Sequence, residues 1–403
     1  MNPPYHSYGA TSPAVLPDEL IPEILSRLPV KTLMQMNCVC KSWKSLISNR
    51  FFSKLHFHRS PRNTHLALIP YCNRPDQDMD ISVIPFPLSR LLDNPSISIA
   101  NPEHRLGRLD CREMVGSCNG LICLLSLSDK YERTFRFWNP ATKKISEKLG
   151  LFCNDSSDFF RFAFGYDNLT DTYKVVAFSA NQVKVFGLGD SVWRNIESFP
   201  FVPFDVESTQ PHCHPFVNEG VYVSGTINWL AIRNVIDYKW KDINIEQFVI
   251  VSLDLGTETY RQLLPPRGFD EVPSVEPAVT VLMDCLCFSH HFKGTHFVLW
   301  KMMEFGVQES WIQFLKISYV DLRIYHGVSE SFEYHSQLFL FPLGLSESND
   351  TLVLASNQES FACEEEKAIL YNWRDNRVER TRFTDEILWF FTKGYVESLA
   401  SPC

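Results

Sequence analysis

Three stretches bring together side chains that could hold a metal ion: His212-Cys213-His214, Asp284-Cys285 with Cys287, and His290-His291. Zinc sites pair their ligands at CxxC-type or HxxxH-type spacings. Here the H-C-H and C-L-C runs sit in strand-like sequence, where residues two apart share one face. They read as core or loop positions, and no metal or cofactor is expected. Paired carboxylates, which could do general acid–base work, occur as Asp18-Glu19, Asp270-Glu271 and Glu364-Glu365-Glu366. The first pair opens a helix and the other two groups lie in polar turns, so all read as solvated charge. GxSxG, HExxH, P-loop and GxGxxG motifs are missing, and Gly187-Leu188-Gly189 reads as a hairpin turn. No catalytic residue is expected, which leaves the surfaces to carry the function.

The bulk composition narrows the choice further. The chain has 403 residues, 45% hydrophobic and 21% charged, which suits one large folded domain with a small one beside it. A formal net charge of −9 argues against nucleic acid as the default partner. No run of apolar residues is long enough for a membrane span, so none is expected. Residues 1–15 lack the basic and apolar regions of a secretory leader and read as a flexible tail. The twelve cysteines are scattered, and a chain of this size needs no staples. Reduced thiols in the cytoplasm or nucleus are expected, with residues such as Cys123 acting as small hydrophobes.

Two kinds of periodicity divide the chain. In residues 16–52, Leu20, Ile24, Leu25 and Leu28 form a helical stripe. Pro17 precedes it, Asp18 and Glu19 favour a helix N-terminus, Pro22 is tolerable in the first turn only, and Pro29 ends it. A second short helix would carry Leu33 and Met36, and perhaps Met34. A third would carry Val39, Trp43, Leu46 and Ile47. Three short helices bury little alone and need a partner surface. From about residue 64 the pattern switches to period two, in short β-branched and aromatic runs bounded by turn residues. Hairpins with apolar anchors recur near Trp138, Phe186, Leu253, Trp300 and Trp373, each preceded by a second hairpin. Four strands per such unit is the arithmetic of a propeller blade.

Specific residues carry a resemblance. Leu16-Pro17-Asp18-Glu19-Leu20, Ile24-Leu25-Ser26-Arg27-Leu28-Pro29-Val30-Lys31, Val39-Cys40-Lys41-Ser42-Trp43 and Leu46-Ile47 together resemble the F-box of plant proteins. Gln35-Met36-Asn37 departs from it, since the family more often has basic and aromatic residues there. The remainder is similar to the F-box-associated interaction domain of the same plant family, which includes F-box/kelch-like and S-locus F-box-like proteins. Its landmarks are Gly116-Ser117-Cys118-Asn119-Gly120-Leu121, Trp138-Asn139-Pro140-Ala141-Thr142, Phe164-Gly165-Tyr166-Asp167 with Asp171-Thr172-Tyr173-Lys174-Val175-Val176, and Gly225-Thr226-Ile227-Asn228-Trp229-Leu230. The Asn139-Pro140 turn reads as structural, setting a hairpin register.

The resemblance implies a small all-α F-box at 16–55, a linker at 56–63, and a large all-β, kelch-like domain at 64–400, a closed β-propeller of about six blades. Inner hairpins are expected near 116–125, 162–178, 220–231, 279–288, 339–355 and 388–399, with the strands at 64–70 and 81–88 completing the last blade. It further implies the substrate-recognition subunit of an SCF-type (Skp–cullin–F-box) E3 ubiquitin ligase. The F-box would bind a Skp-type adaptor and, through it, cullin, while the β-domain binds an unknown protein target for ubiquitination. The residues expected to bind the adaptor are Leu16, Pro17, Leu20, Ile24, Leu25, Leu28, Pro29, Val39, Trp43, Leu46 and Ile47, with Trp43 more internal. Adaptor binding is expected to need only residues 16–55. The target-binding residues are unknown, although the loops around 201–216, 234–246 and 265–277 are candidates. Two other readings stand: an F-box protein that sequesters its target without ubiquitin transfer, and a propeller-fold enzyme, for which no repeated polar position across blades is visible.

Overall fold

The computed structural model describes residues 17–60, 62, 64–70, 81–97, 110–128, 132–153, 159–204, 206, 219–233, 240–324, 338–357, 367–383 and 386–402. Its N-terminal part is a helical unit of α1 (Leu20–Leu25), α2 (Val30–Met36), α3 (Lys41–Ile47) and α4 (Arg50–Arg59). Pro22 falls in the first turn of α1, where its missing N–H costs nothing. Pro29 stands at the N-cap of α2. Cys40 caps α3, its sulfur accepting from the Trp43 N–H.

Two details differ from the sequence reading. Val39 lies in the turn joining α2 to α3, not on the third helix. A fourth helix, α4, crosses the expected boundary between F-box and linker. Its start is written in Asn49, whose Oδ1 accepts from the N–H groups of Phe51 (2.8 Å) and Phe52 (3.4 Å). Its inward face is Phe52 and His56, and a histidine in the stripe hides the period.

The β region closes into six blades. Five are chain-local: 113–152, 161–196, 221–263, 278–318 and 340–380, with four strands each and a fifth short strand, Leu149–Phe152, added to the first. The sixth joins the two ends of the β region. Its inner strand is Lys393–Val396, and Thr64–Leu68 and Ile84–Pro87 lie outside it, with His65 opposite Tyr395 and Leu66 opposite Phe86. The early strands therefore clasp the ring as expected. The expected hairpin at 388–399 is instead this one strand after a short 3-10 turn, Trp389–Phe391. Its hairpin partner comes from the other end of the domain.

Six apolar clusters sit between successive blades, and a seventh small one lies in the helical unit. A blade sandwiched between two others buries both faces, so its second strand reads as a continuous apolar run. All of Thr226–Ile232 is buried for this reason. Edge-to-face rings fill the gaps: Phe178 and Phe199 pack on Trp229 with centroids 5.3 Å and 5.1 Å away. Such pairs add to what area burial alone contributes.

The sequence landmarks turn out to be joints. Asn139 is fully buried, and its Oδ1 accepts from the N–H groups of Ala141 (3.0 Å) and Thr142 (3.1 Å). Asp167 does the same for Leu169 and Thr170. Lys174 bonds Asp167 Oδ2 (2.9 Å) and Glu258 Oε1 (3.0 Å), tying the second blade to the third. Trp229 donates its Nε1–H to the Glu219 carbonyl at 3.2 Å.

Candidate functional site: two opposed surfaces

Each of the first five inner strands starts on one face of the ring and ends in a hairpin turn on the other, and the sixth, Lys393–Val396, runs into the C-terminal tail there. The turn face carries Asn119-Gly120, Asp171, Ser224-Gly225 and Met283-Asp284. Helix α4 lies against this face. Arg50 Nη2 meets Asp171 Oδ2 at 2.9 Å, Lys54 pairs with the same carboxylate, and Arg62 pairs with Asp284. Arg50, Lys54 and His58 recur every fourth residue along α4, so the helix points one basic edge at the ring, and Arg62 follows just past its end. An axial cavity of about 1010 Å³ runs inside the inner strands, and α4 forms part of its wall through Arg50, Lys54, Phe57 and His58.

The helical unit has a core of Leu25, Leu33, Ile47 and Phe52, with Leu28, Trp43 and Leu46 packed at its edge. Leu25 (2% exposed) and Ile47 (4%) are thus inside, where they support the surface from below and present no area to a partner. Leu20, Ile24 and Val39 keep 46%, 47% and 59% of their surface in solvent. Pro17 and Pro29 are exposed. Leu16 lies outside the described residues. Phe51, 82% exposed on α4, was not singled out by the sequence pattern, because an aromatic beside Phe52 reads as core.

Charges brace the unit. Arg59 of α4 bonds Glu23 of α1 at 2.6 Å, and this hydrogen bond holds the Glu23 carboxyl below its usual range. His56 is fully buried, and its Nε2 lies 2.8 Å from the Leu28 carbonyl, so that nitrogen carries the proton and donates. Burial pushes the imidazole pKa down.

The opposite face collects the starts of the inner strands. Charged groups meet there: Glu113, Arg161, Glu219 and Lys393. Lys393 Nζ sits 2.7 Å from Glu219 Oε2, yet burial outweighs the ion pair and keeps the Glu219 pKa raised. Burial, and next the Glu219 charge, push Glu113 up to about 7. The long connections between blades leave from this same face. They include the segments around 201–216 and 265–277, and the one at 234–246 joins the second and third strands of its blade there too. Residues 205, 207–216 and 234–239 of these lie outside the described residues.

The described candidate metal residues, Asp284, Cys285, Cys287, His290 and His291, do not assemble into a three-ligand cluster. Cys287 is buried in the strand Cys285–Phe292, and burial pushes its thiol up to about 12. His290 accepts from Trp300 Nε1 at 3.3 Å, and His291 bonds the Tyr319 hydroxyl. Among the described residues no three metal-capable side chains cluster. His212, Cys213, His214 and Glu364, Glu365 and Glu366 lie outside them.

Comparison with known proteins agrees with this geometry. A family model for the F-box associated beta propeller domain matches residues 79–402, and an F-box-like model matches residues 14–58. An F-box/kelch-repeat protein of Arabidopsis thaliana is 28% identical over 321 residues, covering 76% of this chain and 80% of that one. F-box protein CPR1 of the same plant is 25% identical over 321 residues, covering 74% and 72%. Four short helices seated on the turn face of a six-bladed ring, with both family models matching in order, place this chain among the F-box proteins that carry an F-box associated beta propeller domain.

Proposed function

We propose that this chain is the non-catalytic substrate-recognition subunit of an SCF-type ubiquitin ligase. The observation that carries the reading is the exposed apolar set Leu20, Ile24 and Val39 on the F-box, flanked by Pro17 and Pro29. A lone four-helix unit gains nothing by leaving these in water, while a Skp-type adaptor docking there would bury them. The adaptor links the chain to cullin, and the unknown target sits on the opposite face of the ring, where the long connections emerge. The F-box then supplies proximity, raising the effective concentration of target lysines. Leu16, Pro17, Leu20, Ile24, Leu28, Pro29, Val39, Trp43 and Leu46 form or border the adaptor contact, and Leu25 and Ile47 support it. This ligase reading puts the work in the cytoplasm or nucleus.

The test uses the full chain and a purified Skp-type adaptor. Truncating a central apolar anchor costs on the order of 2 kcal/mol, roughly 30-fold in Kd. Leu20→Ala and Ile24→Ala should each weaken binding to that extent with the helical circular dichroism unchanged. Wild-type affinity in both would sink the interface assignment. Ubiquitylation reconstituted with adaptor, cullin and a target captured by residues 56–403 then separates transfer from sequestration: a bound target that stays unmodified favours sequestration.

A further inference from the structure

Residues 397–402 leave the last inner strand and cross the turn face beneath the F-box. Two landmarks of the first blade hold them. Gly120, at φ +83°, has no side chain to block the path; a Cβ there would collide with the Ser398 side chain and sit 2.8 Å from the Val396 carbonyl oxygen. Ser398 Oγ donates to the Asn119 carbonyl at 2.7 Å. Asn139 Nδ2 donates to the carbonyls of Ser398 (3.0 Å) and Ala400 (2.7 Å). Between these two anchored carbonyls, the Leu399 side chain packs onto the F-box core of Leu25, Leu33, Ile47 and Phe52.

We infer that this segment is a latch that couples the F-box to the closed ring. Four fully buried apolar residues are a small core for a forty-residue unit. The Leu399 side chain completes it from a position that follows all six blades in sequence. It is held there by Asn119, Gly120 and Asn139, which belong to the first blade, and by the strand Lys393–Val396, which pairs with Thr64–Leu68 to shut the ring. Leu399 is therefore a positioning residue for adaptor docking. The F-box core stays incomplete until the ring has closed, so the adaptor selects chains whose target-binding domain is finished. The coupling itself stands on contacts within the chain; its consequence for the adaptor rests on the function proposed above.

The experiment compares full-length wild type with Asn139→Asp, Leu399→Ala and Leu399→Met by amide hydrogen exchange and by adaptor Kd. Asn139→Asp keeps the oxygen that caps its own turn and loses both bonds donated to the tail. It should raise exchange at residues 398–402 and, by about tenfold, in α2–α4, although no F-box residue has changed. Strands at 226–232 and 285–292 should exchange as in wild type. Leu399→Ala should do the same to the helices, and Leu399→Met, which restores the apolar volume, should return them to near wild-type rates. Adaptor Kd should weaken in step with helix exchange. Helix amides that exchange at wild-type rates in both Asn139→Asp and Leu399→Ala would overturn the latch, as would a tail that Asn139→Asp leaves unmoved. A wild-type chain that shows the exchange coupling but binds no adaptor would instead refute the function proposed for the F-box.

Discussion

The two parts of the molecule keep their shape by different means. Each gap between blades is filled from both sides, as at Trp229, which is fully buried between Phe178 and Phe199. The F-box has a single small core, closed on one side by Leu399 and braced on the ring by Arg50, Lys54 and Arg62. Blades stabilise one another around a circle, so each is supported twice. The helical unit is held from the ring side alone and leaves its far side apolar and open. The recognition role proposed above would use that asymmetry: a body stiff enough to present loops, and a grip whose apolar side is open to a partner.

The largest expected effect lies in the ring. Trp229→Ala removes a fully buried indole and its bond to the Glu219 carbonyl, and should cost about 3–5 kcal/mol in denaturant unfolding. Trp43→Ala should cost less, about 1–2 kcal/mol, because Trp43 is only half-buried at the edge of the F-box core. A loss at Trp43 as large as at Trp229 would erase the contrast between the two regions.

Acidity sharpens the comparison, because the two regions respond with opposite signs. Glu113 holds its proton more tightly in the folded ring, with its pKa raised from 4.5 to about 7. Its contribution favours folding below pH 4.5 and fades as pH rises through about 7; above that a half-buried charge beside Glu219 works against the ring. Glu113→Gln should therefore add about 1–3 kcal/mol at pH 8 and little near pH 4.5. Wild-type and variant stabilities that run parallel from pH 4.5 to 8 would remove Glu113 from the account. His56 runs the other way. Burial lowers its pKa from 6.5, so its contribution is present above pH 6.5 and is lost as pH falls. Amide exchange of residues 20–59 should accelerate between pH 7 and pH 5 beyond the intrinsic pH trend, and His56→Gln should blunt that change. An unaltered profile in the variant would exonerate the imidazole.

The smallest effect is expected at the seam. Asp171→Asn removes the partner of Arg50 and Lys54, both well exposed, and should shift stability by less than about 1 kcal/mol. That shift should shrink further in high salt. A large loss that high salt abolishes would mean that charge, not Leu399, holds the F-box in place.

Local sequence determined a good deal of this. Turn residues and apolar runs spelled out the blades one by one, since each of the first five is a continuous stretch whose strands pair with their neighbours in the chain. Asn139, Asp167 and the Ser224-Gly225 turn make bonds within two or three residues, so type and spacing were enough to recognise them. The stripe of Leu20, Ile24, Leu25 and Leu28 announced a helix but not which residue would face inward. Helix α1 has fewer than two turns, and its orientation follows from what α4 and the tail cover. Tertiary structure alone decided that Leu25 is shut in while Leu20 and Ile24 stay open. It also decided that a single strand from the end of the domain replaces the expected sixth inner hairpin. The meeting of Leu399 with the F-box core was likewise beyond local reading, because the residues involved are separated by most of the chain. Such contacts depend on how the whole ring closes and leave no period behind in the sequence.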